Sequence, residues 1–237
     1  MNLSAPIYRL KRRARLLSRS QGITHTEALD AVAREEGFTS WSLLASQASA
    51  SHPVKDLGAK LAAGDLMLLG ARPGHGKTLL SLELAIEAMK GGRHSAFFTL
   101  EATATEVVER FTALGARPTD FAERFYLDSS DDISASYIAA RLQDAERDTL
   151  VVVDYLQLLD QKRDNPPLAT QVAQLREFAR ERGLIVVLLS QIHRSYDPTQ
   201  RPVPELVDVR LPNPLDLSLF DKTCFLHDGE LTFATVA

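Results

Sequence analysis

ARPGHGKT, residues 71–78, is the stretch on which the fold of this 237-residue chain turns. It ends as a phosphate-binding loop ends, in G-K-T. The usual pattern is G-x-x-x-x-G-K-[ST], and Ala71 stands where the first glycine would be. LMLLG (66–70) before it reads as a buried strand, and KTLLSLELAIEAMK (77–90) after it reads as a helix ended by Gly91-Gly92. Strand, glycine-containing loop, then a helix opening at the lysine is the context a phosphate cradle needs. Gly74 and Gly76 let the backbone turn so that its N–H groups point at a phosphate. The helix N-terminus adds a partial positive charge. Lys77 reaches the β- and γ-phosphates of a nucleotide, and the Thr78 hydroxyl binds Mg²⁺. The nucleotide-contacting stretch is then Ala71, Arg72, Pro73, Gly74, His75, Gly76, Lys77, Thr78 and Leu79. His75 either touches a phosphate or fills a tolerant position. A chance G-x-G-K-T is the competing explanation, and the rest of the chain bears on it.

The pattern of short apolar runs alternating with helical stretches continues. SAFFTLE (95–101) reads as a strand, and 103–115 as a helix with Val107, Val108, Phe111 and Leu114 inward. RFYLD (124–128) reads as a short strand, 133–147 as a helix, and LVVVDYLQLL (150–159) as a strand covered on both faces. QKRDNPP (161–167) is a loop, 168–182 a helix, and GLIVVLLSQ (183–191) a central strand. A proline-rich loop covers 193–214, and 223–236 reads as a hairpin turning at Asp228-Gly229. Such alternation predicts an α/β fold: a mostly parallel sheet with helices on both faces. In open parallel sheets, ligands sit at the C-terminal ends of the strands. LVVVD ends in Asp154, placed to hold Mg²⁺ through water. SAFFTLE ends in Glu101, which either polarises an attacking water or serves as an ordinary acid at a strand end. Lys77 with Thr78, Glu101 and Asp154 at three strand ends weigh jointly against coincidence.

Composition narrows the class. Apolar residues make up 45% and charged residues 24%, as in soluble globular proteins. The one cysteine, Cys224, excludes an intrachain disulfide and suits a reducing cytoplasm. No apolar run reaches the roughly 18 residues needed to span a membrane, and no apolar stretch follows the basic N-terminus as in a signal peptide. The histidines are not spaced as metal ligands. The net charge of −4 is uneven: residues 1–52 carry seven Lys/Arg against four Asp/Glu, and 53–237 carry twenty against twenty-seven. The basic excess lies mostly in RLKRRARLLSR (9–19).

Residues 1–50 are expected to form a small helical module, 51–56 a linker, and 57–237 the main domain. Residues 5–20 predict a helix with Ile7, Leu10, Ala14 and Leu17 on one face, and 24–36 a second helix capped by Thr24 or Thr26, with Ala28, Leu29, Val32 and Ala33 inward. Ser40 can cap a third within 38–47. Two readings of the basic helix stay open: Arg12 and Arg13 contact nucleic-acid phosphates, or they form a solvated face. Phe38 and Trp41 are expected in the module's core, not as stacking platforms for bases.

ARPGHGKT, FFTLE, VVVDYLQLL and LLSQIHRS resemble, in order and spacing, the motifs of the C-terminal ATPase domain of DnaB-type replicative helicases, over about residues 57–228. RPVPELVDVR (201–210) looks like that family's R-P-x-x-S-D-L-R segment. Family phosphate loops commonly start with Ala, so Ala71 is a family variant. The resemblance implies a RecA-like P-loop NTPase fold, ATP and Mg²⁺ as cofactors, and a helicase or motor acting on single-stranded DNA as a homo-oligomer, with a hexamer as one form. A replication or mobile-element protein is the implied partner, and no membrane. It implies that Lys77 and Thr78 bind phosphates and Mg²⁺, that Glu101 activates water and that Asp154 holds the metal. Gln191 would sense the γ-phosphate and relay its presence to DNA-binding loops. Arg194, Arg201 and Arg210 fall near a subunit interface or DNA channel. The chain departs from the family in having no Lys or Arg after Lys222, where the family carries a pair that completes a neighbour's site. That departure motivates an alternative: an ATP-binding regulator, of loader or inhibitor type, that does not translocate.

Overall fold

Every residue of three strands is buried, and this places them inside a layered α/β body. They are β1 (Leu66–Ala71), β2 (Ser95–Thr99) and β4 (Leu150–Asp154). The structure is a computed structural model that describes residues 4–5, 7–44, 53–99, 101–160, 164–197, 199–201, 203–211, 213–227 and 230–236. It divides into two compact units, Met1–Asp56 and Leu57–Ala237.

In the first unit, α1 (Ile7–Gln21) packs on α2 (His25–Glu35). Leu10 and Ala14 of α1 and Ala28, Val32 and Ala33 of α2 are buried together with Phe38 and Leu44, and Leu17, Leu29 and Trp41 pack at their edge. The Ile7 side chain lies outside the described residues. Thr24 caps α2: its hydroxyl accepts from the Glu27 N–H at 3.2 Å, while Glu27 accepts from the Thr24 N–H at 2.9 Å, a reciprocal capping box. Of the expected third helix, residues 41–44 are helical, 38–40 are not, and 45–47 lie outside the described residues. So do 51–52 of the expected linker. Residues 53–56 of it are helical, the first part of α3 (Pro53–Ala59). Proline is favoured in a first helical turn, where its missing N–H leaves no bond unmade.

The second unit is a seven-stranded sheet in the order β3-β2-β4-β5-β1-β6-β7, with β3 at Phe125–Asp128, β5 at Ile185–Gln191, β6 at Lys222–His227 and β7 at Glu230–Thr235. All neighbours are parallel except β6 and β7, which form the expected hairpin; its turn at 228–229 lies outside the described residues. The remaining helices are α4 (Lys77–Lys90), α5 (Ala104–Ala113), α6 (Ala135–Arg141) and α7 (Leu168–Arg182). Leu66, Leu68, Val151, Val153, Val186 and Leu188 pack with Ile138 of α6 and Val172 and Leu175 of α7. Because strand residues alternate, Met67, Leu69, Val152 and Val187 point to the other face, where α4 packs on β1, β2, β4 and α5. Burial of Cys224 in β6 pushes its thiol up to about 12, so it packs as a small apolar group.

Four expectations differ from the structure. The run 150–159 is a strand only to Asp154; Leu156–Asp160 is a 3₁₀ helix. Leu156 and Leu159, both fully buried, lie three residues apart, and the 3₁₀ period of 3.0 puts both on one side. The helix expected over 133–147 covers only Ala135–Arg141; Ala145 N–H donates to Leu142 O in a tight turn, and Asp148 at φ 64 redirects the chain into β4. Val108 of α5 is not inward but 45% exposed, because Val107 and Phe111, four apart, take the buried stripe. β2 ends at Thr99, before Glu101. No helix among the described residues is long and apolar enough to cross a membrane.

Gly70 of β1 is in register with Phe225 of the neighbouring β6. A Cβ there would sit 2.7 Å from the buried Phe225 ring and 3.0 Å from Ile192 Cδ1. Gly70→Ala is expected to destabilise the unit by roughly 1–3 kcal/mol through overpacking, seen as a lower urea midpoint with unchanged slope. An unchanged midpoint would mean that the ring shifts freely.

Candidate nucleotide site

The site forms at the C-terminal edge of the sheet. β1 ends at Ala71, which is buried and in register with Gln191 of β5 and Leu226 of β6. The chain then turns through Arg72–Gly76 into α4. Gly74 and Gly76 hold φ of 79° and 88°, left-handed values that L side chains rarely adopt. A Cβ at Gly74 would meet nothing within 4 Å, and one at Gly76 only Leu226 Cδ2 at 3.8 Å. The turn is therefore an open cradle, imposed by backbone and not by crowding. Pro73 and Gly74 are exposed, and Leu79 in the first turn of α4 is 40% exposed. Gly76 caps α4 with no side-chain bond to the helix's first N–H groups. Those groups and the helix dipole favour an anion.

Lys77, Thr78, Glu101 and Asp154 meet in space. Lys77 Nζ donates to Glu101 Oε2 at 2.8 Å and to Asp154 Oδ1 at 3.0 Å. Thr78 Oγ1 donates to Asp154 Oδ2 at 2.8 Å. The side chain of Asp154 is 0% exposed and that of Lys77 8%, whereas Glu101 is 36% exposed. Burial alone would pull the Lys77 pKa down, but the Asp154 charge and the bonds and charge of Glu101 outweigh it, and the pKa is raised. Lys77 Nζ also lies 5.2 Å from the centre of the Tyr155 ring. Thr99 Oγ1 accepts from the Glu101 N–H at 3.1 Å, which turns the chain out of β2. An ammonium, a hydroxyl and two carboxylates beside an open cradle of N–H groups fit a nucleotide's phosphates with a divalent cation.

Arg72 does not lie in the cradle. Its Nη2 donates to the carbonyls of Arg194 at 3.1 Å and Tyr196 at 2.9 Å, and its guanidinium lies 5.5 Å from the centre of the Tyr196 ring. His75 stacks on His227 at the end of β6, centroids 5.1 Å apart, and His227 meets Tyr196 edge-on at 5.4 Å. Gln191 ends β5 and accepts from Arg210 Nη1 at 3.2 Å. The Arg194 side chain is exposed. Arg201 is paired within its own loop, with Asp208 at 2.7 Å and Glu205 at 3.0 Å. In the first unit Arg12 is exposed and Arg13 pairs with Glu35. Among the described residues no cluster of three or more His, Cys, Asp or Glu could hold a metal by itself.

Motif spacing assigns no individual role to Tyr155, Gln157 or His227. Gln157 Nε2 donates to the Arg210 carbonyl at 2.6 Å and to Ser190 Oγ at 3.3 Å. The available signal was a lone amide between Leu156 and Leu159, which a strand reading hides and a period of three reveals.

The model of the DnaB-like helicase C-terminal domain matches residues 54–120 and 118–216. A probable plasmid replicative DNA helicase of Chlamydia trachomatis is 29% identical over 188 residues, 66% of this chain and 42% of that protein. The replicative DNA helicase DnaB of Geobacillus stearothermophilus is 27% identical over 62% of this chain and 39% of its own length. The chain thus spans about two-fifths of these relatives. A solved DnaB-like replicative helicase, described with its interactions with primase, superposes with a TM-score of 0.57 at 22% identity, over 71% of this chain and 48% of that one. A second solved structure, described as an ATPase domain, gives 0.55 at 23% identity over 70% of each chain. These two likenesses carry the fold.

A raised Lys77 pKa means that the folded state holds this proton more tightly than the unfolded chain. The resulting stability is complete below the ordinary value of 10.5 and is lost as pH rises through the folded value. Lys77→Met is expected to flatten the alkaline limb of thermal stability on the high side of pH 10.5. Melting curves that fall in parallel for both proteins would refute this.

Proposed function

The chain belongs to the DnaB-like helicase C-terminal domain family, and we propose that it binds ATP with Mg²⁺, hydrolyses it and uses the energy on single-stranded DNA. The observation that carries the proposal is the convergence of Lys77, Thr78, Glu101 and Asp154 beside the glycine cradle. Exposure separates the roles of the two carboxylates. Asp154 is sealed from solvent and already bonded to Thr78, so the pair suits a cation held through water. Glu101 is partly exposed and suits activation of a water. Lys77 would exchange carboxylate for phosphate partners. ATP with Mg²⁺ supplies the transferable phosphoryl group and the charge that neutralises it.

DNA as the track is supported by the relatives named as replicative helicases. On this chain Arg194 and Arg210 are exposed on the loop that leaves the site. A homo-oligomer, a hexamer being the form expected of a ring, would let Arg194, Arg201 or Arg210 of one copy reach a neighbour's nucleotide. Arg12 on the exposed side of α1 is a further phosphate contact, and Arg13 becomes one on leaving Glu35. A replication or mobile-element protein is the proposed partner.

Lys77→Ala is expected to abolish binding of a fluorescent ATP analogue. Glu101→Gln should keep that binding and lose about 10²–10⁴ in turnover, the usual worth of a general base. Normal turnover by Glu101→Gln would remove the base assignment. Particle mass with ATP analogue and oligo-dT, and strand displacement on a forked substrate, test the motor. Turnover without displacement would favour the ATP-binding regulator.

A further inference from the structure

We propose that Gln157 is a positioning residue that couples nucleotide state to the loop 192–211, and that Arg72 secures the same loop at its other end. The inference rests on the nucleotide-driven DNA reading above and goes further, naming the contacts that transmit the state.

The loop leaves β5 at Gln191 and is tied to the site through its main chain. Near its start, Arg72 of the phosphate loop donates to the carbonyls of Arg194 and Tyr196. Near its end, Gln157, three residues beyond Asp154, donates to the Arg210 carbonyl. Between these points the loop pairs with itself: Ile192 bridges Val209, His193 N–H donates to Asp208 O at 2.7 Å, and Arg210 N–H donates to Gln191 O at 2.8 Å. The loop is thus closed on itself at its base, and these two side-chain ties come from the phosphate loop and from the segment that follows Asp154.

Gln157 has the geometry of a connector. Three residues beyond Asp154, its amide bonds β5's penultimate residue (Ser190) and the main chain of Arg210, whose guanidinium reaches Gln191 Oε1. The Arg210 carbonyl only accepts, so the Gln157 nitrogen, not its oxygen, must face it. That leaves Gln157 Oε1 buried with no hydrogen-bond partner among the described residues. An unsatisfied buried acceptor is unfavourable, and it is relieved if a donor arrives. Gln157 Oε1 is thus open to a further donor, and a donor that arrived there would give the side chain a second set of partners. A change at Asp154 on cation binding, or at Gln191 on γ-phosphate binding, moves one end of this chain of contacts, and the Arg210 carbonyl moves the loop.

The test measures affinity for fluorescent oligo-dT in ATPγS with Mg²⁺ and in ADP with Mg²⁺, for the full chain and for Gln157→Met, which keeps length and removes the amide. Coupling is the ratio of the two affinities, and coupling energies usually correspond to about 5–150-fold. The ratio is expected to fall at least about fivefold in Gln157→Met, with a melting temperature near that of the unaltered chain. An unchanged ratio in a folded variant overturns the inference and leaves the proposed function standing. An unaltered chain with no nucleotide-dependent binding overturns both. If Gln157→Met does not fold, Gln157→Asn, whose shorter side chain draws the amide back from the Arg210 carbonyl, takes its place. A lower ratio is the result expected. An unchanged ratio, with or without equal weakening in both nucleotides, overturns the inference.

Discussion

A buried ammonium shared by two carboxylates is the contact on which the rest of the site depends. Lys77 opens α4 after β1, Glu101 follows β2, and Asp154 ends β4. The three can meet only if β1, β2 and β4 present the same ends to the same edge, which parallel pairing provides and antiparallel pairing would not. Parallel strands in turn need helical crossovers, and the helices cover both faces and bury the strands. Placing the antiparallel β7 at the far edge costs the site nothing.

The same contact is not a strong source of stability. Two unit charges at about 4 Å attract by about 4 kcal/mol at an effective dielectric constant of 20, and removing each from water costs several kcal/mol. The attraction and the desolvation penalty are of similar size. Lys77 can thus leave its carboxylates for a phosphate with little net change, since one anionic partner replaces another while Thr78 keeps Asp154 bonded. A lysine paired in a fully satisfied network would resist such exchange. This one has Glu101, 36% exposed, as its weaker hold.

Much of this was legible from the residues, and what was not has two physical causes. Residues 77–90 and 168–182 are helices with the expected bounds, because periodicity, Gly91 and Gly183 mark them. The strands around the site were legible because complete burial writes them as unbroken apolar runs. That same rule misled at 150–159: once both faces are apolar, a 3₁₀ turn carrying Leu156 and Leu159 looks like more strand. Side-chain ties to main-chain carbonyls, such as those of Arg72, leave no trace in spacing, because the acceptor is any residue at all. Gln171 shows it again: fully buried, it accepts from the Ala135 N–H at 3.1 Å and donates to Pro166 O at 2.8 Å, joining three segments that share no motif.

Charge sets a further constraint on how such a domain could hold DNA. Residues 193–211 carry three arginines against Asp197, Glu205 and Asp208, so the loop is neutral, and residues 53–237 are acidic overall. Arg201 is held by Asp208 and Glu205, which leaves Arg194 and Arg210 for phosphates. Two contacts to a single strand would give a salt slope of only about −1.4, a weak and easily screened hold. One copy of this loop cannot grip a strand tightly. Several copies on one strand can, because after the first contact the others bind at high effective concentration. On the proposed reading, weak contact per copy would also let a motor release and advance, so a neutral loop is compatible with oligomeric action on DNA.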